Sequence, residues 1–104
     1  MGRHNDEYFL LDLDEVLAFQ AEGERVWVVT AKQRLLATQN LKTIADKLRN
    51  SSFRRIHRNA IVNVNHIRKM SMLSSQRWLV TLNNAQEFVV SKRQAKNVRE
   101  VLSW

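Results

Sequence analysis

The sequence predicts a single α+β domain that is mostly antiparallel β, with two peripheral helices. Many short runs rich in β-branched and aromatic residues alternate with turn residues, which is the pattern of short strands joined by hairpins. Two other segments space their apolar residues as one face of a helix does. A chain of 104 residues with 44% hydrophobic residues and no proline suits one domain with its own core.

Four strands are expected in the first half of the chain. Residues 1–6 are polar and predict a short tail, which is followed by a domain over residues 7–104. Gly23 can adopt a positive φ without steric cost, so Glu-Gly-Glu predicts a hairpin turn. The strand-like runs are residues 8–13, 16–21, 25–30 and 34–38.

A helix is expected directly after these strands. Asn40 is a suitable N-cap, because its side-chain oxygen can accept a hydrogen bond from an N–H group of the first turn. Apolar residues then recur at i, i+3, i+4 and i+7 and give one buried stripe, formed by Leu41, Ile44, Ala45 and Leu48.

More strands and a second helix are expected in the other half. Asn83 and Asn84 predict a hairpin turn, because Asn tolerates the left-handed region. Residues 67–73 and 76–82 predict an antiparallel pair. Residues 86–90 are expected to form the last strand, and residues 53–56 and 61–62 carry further apolar content. Ser91 can cap a terminal helix whose apolar positions are Ala95, Val98, Val101 and Leu102.

The charge is concentrated in the second half of the chain. The whole chain carries 17 Lys and Arg against 10 Asp and Glu, a net charge of +7. Residues 1–52 hold seven basic and eight acidic side chains, whereas residues 53–104 hold ten basic and two acidic ones. A local basic excess indicates a site for a polyanion, although a basic surface without a partner is the alternative.

The sequence offers no chemistry for catalysis. There is no cysteine, two glycines cannot form a phosphate-binding loop, and His4, His57 and His66 have no metal-ligand spacing. We therefore expect neither an enzyme nor a bound metal or cofactor. No apolar run approaches the roughly 20 residues of a membrane helix. The polar start lacks a signal peptide, so a cytoplasmic protein without membrane contact is expected.

Residues 53–67, Phe-Arg-Arg-Ile-His-Arg-Asn-Ala-Ile-Val-Asn-Val-Asn-His-Ile, resemble the signature of the LytTR family of bacterial DNA-binding domains. The family pattern is an aromatic, a basic residue, an apolar-His-Arg/Asn-Ser/Asn run, an apolar pair and Val-Asn. The Asn40-Leu41 helix start and the Val-Ser-Lys-Arg run at residues 90–93 also match the family, in the expected order. The resemblance covers residues 8 to 103.

This resemblance implies an elongated stack of small antiparallel sheets that acts as the output domain of a response regulator in a two-component system. Loops between strands would enter successive major grooves of duplex DNA, bend it and regulate transcription at the nucleoid. Family members usually bind direct repeats with two copies per site, and a receiver domain or other regulatory partner usually precedes the domain. Two departures are visible. Such a receiver domain is not part of these 104 residues, and the first hairpin is acidic before Arg25.

Two arginines are the main candidates for base contact. The resemblance gives base-reading positions to Arg58 and Arg93, and arginine can bond bidentately to the O6 and N7 of guanine. The alternative for Arg58 is contact with phosphate alone. Ser91 and nearby helix amides could hold a phosphate, with Lys92 and Lys96 adding charge, or Ser91 could be a plain helix cap.

The neighbouring polar residues have open alternatives. Asn59 could bond a phosphate, a base edge or its own turn, whereas Asn63 fits a structural, turn-closing role. His57 could donate to phosphate or be packed and hydrogen-bonded, and alternation leaves Arg54 or Arg55 facing solvent. The full set expected to contact DNA comprises Arg25, Arg54, Arg55, His57, Arg58, Asn59, Ser91, Lys92, Arg93, Gln94 and Lys96.

Two other functions remain open. A module for RNA or single strands would need exposed aromatic rings among its basic residues. Trp27 and Trp78 lie in apolar strands, which favours packing, and Trp104 is terminal. A domain that binds an acidic protein partner and has lost DNA binding is the third possibility, and it fits the acidic first hairpin.

Overall fold

The computed structural model describes residues 2–4, 7–74, 77–95 and 99. The strands within these residues form two antiparallel sheets. The strands are β1 (Gly2–His4), β2 (Glu7–Phe9), β3 (Val16–Glu22), β4 (Arg25–Thr30), β5 (Arg34–Ala37), β6 (Phe53–His57), β7 (Ala60–Asn63), β8 (Ile67–Ser74), β9 (Arg77–Leu82) and β10 (Glu87–Val90). The larger sheet has the order β2-β1-β5-β4-β3-β7-β6, and the smaller has β10-β9-β8. Helix α1 spans Leu41–Lys47, and short 3-10 turns occupy Leu13–Glu15 and Val64–His66.

The seven-stranded sheet is covered on both faces. One face packs against α1 through a cluster that contains Phe19, Ile44 and Phe53. The other face packs against the three-stranded sheet through a cluster formed by Leu17, Ala18, Val29, Ile56, Ala60, Val62, Val80, Leu82, Phe88, Val90 and Ala95. Helix, large sheet and small sheet are therefore three successive layers. The molecule measures 45 × 24 × 23 Å along its principal axes.

A buried asparagine joins several segments at one end of the large sheet. The Asn63 side chain is 1% exposed and donates from Nδ2 to the Val16 carbonyl at 3.0 Å. Its Oδ1 accepts from the Ser52 hydroxyl at 2.9 Å and from the Asn65 N–H at 3.1 Å. Asn63 thus links β3, the segment before β6 and the 3-10 turn after β7, which agrees with its predicted structural role.

Most of the expected elements are present. The mostly β, α+β class is confirmed, and the strands at residues 16–21, 25–30 and 34–38 correspond to β3, β4 and β5. Asn40 caps α1, since its Oδ1 accepts from the Thr43 N–H at 2.8 Å. The second helix is not established, because Val98, Val101 and Leu102 lie outside the described residues.

The amino-terminal segment differs from the expectation. Within the range expected to be a tail, Gly2–His4 forms β1 and pairs with both β2 and β5. Gly2 is buried, and a Cβ there would lie 2.6 Å from the Leu35 Cβ, so only glycine allows this close approach. The strand expected over residues 8–13 ends earlier, as Glu7–Phe9, and Leu13 begins a 3-10 turn.

The β9–β10 hairpin turns where predicted, but a different residue takes the left-handed conformation. Ala85 has φ 70°, whereas the sequence pattern favoured Asn83 and Asn84 for this role. The Ala85 N–H donates to the Leu82 carbonyl at 2.9 Å, and the Leu82 N–H donates to the Gln86 carbonyl at 2.9 Å. This is a three-residue loop whose third position requires a positive φ.

Replacing Ala85 by glycine should stabilise the fold, because glycine adopts this φ without the penalty that a Cβ brings. We expect Ala85→Gly to raise the free energy of unfolding by about 0.5–1 kcal/mol in urea denaturation. Gly23 has φ 64°, and a Cβ at this position would meet no atom within 4 Å, so Gly23→Ala isolates the backbone effect with opposite sign. A loss of stability in Ala85→Gly would contradict this assignment.

Removing the Asn63 side chain should unfold the domain more easily, because the buried Val16 carbonyl and the Ser52 hydroxyl lose their partner. We expect Asn63→Ala to lower the free energy of unfolding by about 2–4 kcal/mol. The control is the exposed Asn65, whose replacement by alanine should change stability by less than about 0.5 kcal/mol. Equal effects of the two variants would contradict the linking role of Asn63.

Candidate nucleic-acid interface

The turn between β6 and β7 presents Arg58 and Asn59 at the edge of the large sheet, and both side chains are exposed. The Asn59 N–H donates to Nδ1 of His57 at 3.2 Å, and the Asn59 carbonyl accepts from the Ala21 N–H at 2.8 Å. Because His57 Nδ1 accepts a hydrogen bond, its ring proton is on Nε2. The turn is therefore tied both to its own strand and to β3.

Arg55 is bonded to the same turn. Its Nη2 donates to the Arg58 carbonyl at 2.6 Å, and its Nε donates to the His57 carbonyl at 3.4 Å. The side chain is half-buried, and its described partners are these two backbone carbonyls.

A β-bulge brings a second loop to this turn. The register between β6 and β7 shifts between Arg55 and His57, which leaves Ile56 as the extra residue. The Ile56 carbonyl accepts from the Ser91 N–H at 2.8 Å, so the residue after β10 is attached to β6. Residues 92–94 then form a turn in which the Gln94 N–H donates to the Ser91 carbonyl at 3.0 Å.

Six of the eleven predicted DNA-contacting residues line one cleft of about 430 Å³, which we call the arginine cleft. Among the described residues, its lining contains three arginines and no acidic side chain, an arrangement that favours anions. The lining residues are Arg55, His57, Arg58, Ser91, Arg93 and Gln94.

The other predicted residues lie elsewhere. Asn59 is next to Arg58 in the turn, and Lys92 is exposed beside Arg93. Arg54 donates from Nη1 to the Ser51 carbonyl at 2.6 Å and to the Phe53 carbonyl at 2.9 Å, away from the arginine cleft. Lys96 lies outside the described residues.

Arg25 lies in the β3–β4 hairpin, at the same end of the sheet as the β6–β7 turn, since Gln20 pairs with Ala60. This hairpin is acidic. Glu22 pairs with Arg34 at 3.5 Å, and the Arg34 guanidinium lies 4.1 Å from the centre of the Trp27 ring. This cluster has no signal in the sequence pattern, because its members come from three different strands.

Trp27 and Trp78 do not line the arginine cleft. Trp27 is covered by Arg34, and Trp78 packs against the core between the sheets, while Trp104 lies outside the described residues.

Within the described ranges, no three His, Cys, Asp or Glu side chains lie close enough to hold a metal ion. No helix in the same ranges is long and apolar enough to cross a membrane.

A small β-rich domain that collects three arginines between two loops has the features of a nucleic-acid-binding module. The chain belongs to the LytTR family, because the family model for the LytTr DNA-binding domain matches residues 6–103. This confirms the resemblance seen in residues 53–67. LytTR is a family of DNA-binding domains and not a class of enzymes.

Curated relatives match most of this chain. The sensory transduction protein LytT of Bacillus anthracis is 24% identical over 93 residues, 89% of this chain and 38% of the relative. The heme-containing CO-sensing transcriptional regulator RcoM 1 of Paraburkholderia xenovorans (strain LB400) is 30% identical over 94 residues, 89% of this chain and 35% of the relative. The chain spans between 35% and 39% of the lengths of these and similar curated relatives.

A solved LytTr DNA-binding domain from Bacillus cereus has the same fold. The two structures agree with a TM-score of 0.90 over 99% of this chain and 94% of the other, at 24% sequence identity.

Proposed function

We propose that this chain recognises specific sequences in duplex DNA and regulates bacterial transcription. The observation that carries the proposal is the arginine cleft, in which Arg55, Arg58 and Arg93 meet and none of the described lining residues is a carboxylate. Guanidinium groups bond phosphate oxygens and, bidentately, the O6 and N7 of guanine in the major groove. A DNA-binding family and a cleft with this chemistry support the same partner.

The loops divide the work between base contact and phosphate contact. Arg58 and Arg93 are exposed and read bases. Ser91, Lys92, Gln94 and Lys96 hold the phosphates beside them. His57 supplies its Nε2–H as a further donor, and Asn59 contacts a phosphate or a base edge. Arg25 and Arg54 contribute to the backbone contacts from neighbouring segments.

The finer features of the proposal concern the whole complex. The loops between strands enter successive major grooves and bend the duplex, and two copies occupy a pair of direct repeats. In the full-length protein, a receiver domain or another regulatory partner controls this domain in the manner of a two-component system. The complex forms in the cytoplasm, at the nucleoid.

Duplex DNA fits the described surface better than single strands do. Base stacking needs exposed aromatic rings among the cations. Among the aromatic residues whose exposure the structure describes, the one that is more than half exposed is Tyr8, at 63%. Tyr8 lies on β2, at the opposite edge of the large sheet from β6 and the arginine cleft.

Selection of bound sequences from a random duplex library tests the proposal directly. We expect enrichment of a motif that occurs twice in the same orientation, and retention at about 100 mM salt. Single-stranded RNA should not displace the selected duplex. Failure to retain any duplex at this salt concentration would favour an acidic protein partner, and displacement by RNA would favour a single-strand module.

Alanine variants of the two base-reading candidates should reduce sequence discrimination. Because one bidentate arginine–guanine pair is worth about 1–3 kcal/mol, Arg58→Ala and Arg93→Ala should each weaken binding to the selected duplex by about 5- to 150-fold. Binding to a scrambled duplex should weaken far less. The measurement is fluorescence anisotropy on both duplexes at one salt concentration.

Arg49→Ala is the matched control for these two variants. Arg49 is exposed, follows α1 and pairs with Asp46 at 3.2 Å, so its loss changes the net charge by the same amount away from the arginine cleft. Equal losses on the selected and scrambled duplexes would leave Arg58 and Arg93 as phosphate contacts only.

The exposed Glu24 should weaken DNA binding if the first hairpin lies near the phosphates. Glu24→Gln removes one repulsive charge and is expected to strengthen binding to scrambled duplex by about 2- to 5-fold at low salt, with a smaller effect at high salt. Asp46→Asn on α1 serves as the control and should have no such effect. No change in Glu24→Gln would mean that the hairpin is distant from the duplex.

A further inference from the structure

We propose that Arg55 is a positioning residue that holds the β6–β7 turn in the conformation that presents Arg58 and Asn59. The inference rests on the proposed function, because it concerns how the same loop reads DNA. The sequence suggested that Arg55 contacts phosphate directly, and a positioning role differs from that expectation.

The hydrogen bonds of the turn point to this role. The Arg55 guanidinium donates to the carbonyl of Arg58 at 2.6 Å, a short bond, and also reaches the His57 carbonyl at 3.4 Å. A hydrogen bond from a charged donor is stronger than a neutral one, which suits it to fixing a short loop. Arg55 thereby holds the backbone of the residue whose side chain is the main candidate for base contact.

The two backbone groups of Asn59 already have other partners. The Asn59 N–H is bonded to His57 Nδ1, and the Asn59 carbonyl is bonded to the Ala21 N–H. Bonds to Arg55 complete this set at the Arg58 carbonyl. Loss of Arg55 therefore frees one side of the turn while β3 still holds the other.

Lysine cannot replace arginine in this role, although it carries the same charge. The planar guanidinium presents several N–H donors in a fixed fork, so that Nη2 and Nε reach two carbonyls at once. An ammonium group is a point charge on a flexible stem, which suffices for a phosphate but not for this arrangement. Arg55→Lys therefore separates the two roles.

The DNA-binding test compares wild type with Arg55→Lys on the selected and scrambled duplexes between 50 and 200 mM salt, that is, over about the range where phosphate contacts dominate. A positioning role predicts about tenfold weaker binding to the selected duplex, because the loop is less preorganised. It also predicts unchanged binding to the scrambled duplex and an unchanged salt slope. Wild-type binding of Arg55→Lys to both duplexes, with a slope reduced by about 0.9 in Arg55→Ala, would overturn the proposal in favour of a phosphate contact.

A measurement without DNA tests the same proposal independently. We expect the amide of Asn59 to exchange its hydrogen faster in free Arg55→Lys than in wild type, whereas the amide of the buried Val62 stays protected and reports an intact fold. The control is Arg49→Lys, which should change neither amide. Unchanged exchange at Asn59 in Arg55→Lys would overturn the positioning role.

The two proposals fail in different ways. If wild type does not distinguish the selected duplex from the scrambled one, the proposed function fails while the exchange experiment still decides the role of Arg55. If wild type discriminates and Arg55→Lys discriminates equally well, the role of Arg55 fails and the proposed function stands.

Discussion

Burial of β3 and β7 on both faces is the constraint on which the rest of the structure depends. Four consecutive residues of β3, Val16 to Phe19, are buried, and so are all four residues of β7, Ala60–Asn63. A strand without an exposed face needs apolar partners above and below, which α1 and the three-stranded sheet provide. These neighbouring strands form the buried centre of the molecule, and the loops at their ends are anchored to it.

The two loops of the arginine cleft depend on this layering, because they belong to different sheets. The β6–β7 turn is part of the large sheet, whereas Ser91 follows the last strand of the small one. Packing of Val90 and Phe88 against Ile56 and Val62 brings the sheets together, and the bulge at Ile56 frees a carbonyl for the Ser91 N–H. Arg58 and Arg93 are 35 positions apart in the sequence. The hydrogen bond from the Ser91 N–H to the Ile56 carbonyl links the two loops that carry them.

The sequence was sufficient for elements whose signal is local. Short apolar runs between turn residues identify β3, β4 and β5, and Asn40 marks the start of α1 by its own side-chain hydrogen bond. Strand β1 was missed because a polar three-residue segment has no strand pattern of its own and depends on pairing with distant β5. The left-handed Ala85 was missed for a related reason: loop length, and not the preference of the residue, sets the conformation there. In the site, the two segments that resemble the family, residues 53–67 and the run from residue 90, contain the six described residues of the arginine cleft. The bonds from Arg55 to backbone carbonyls have no signature in a sequence.

Folding brings the acidic and basic segments of the chain together at one end of the large sheet. The acidic hairpin comes from the first half and the basic turn from the second, yet pairing of β3 with β7 places them side by side, joined by the bond between Ala21 and Asn59. One end of the sheet therefore carries both signs of charge, with Glu22 partly neutralised by Arg34 and the cations of the arginine cleft lying farther towards β6. For a polyanion approaching this end, the potential is attractive towards β6 and less so towards β4. The acidic hairpin thus limits the basic surface at this end of the sheet to the side of β6.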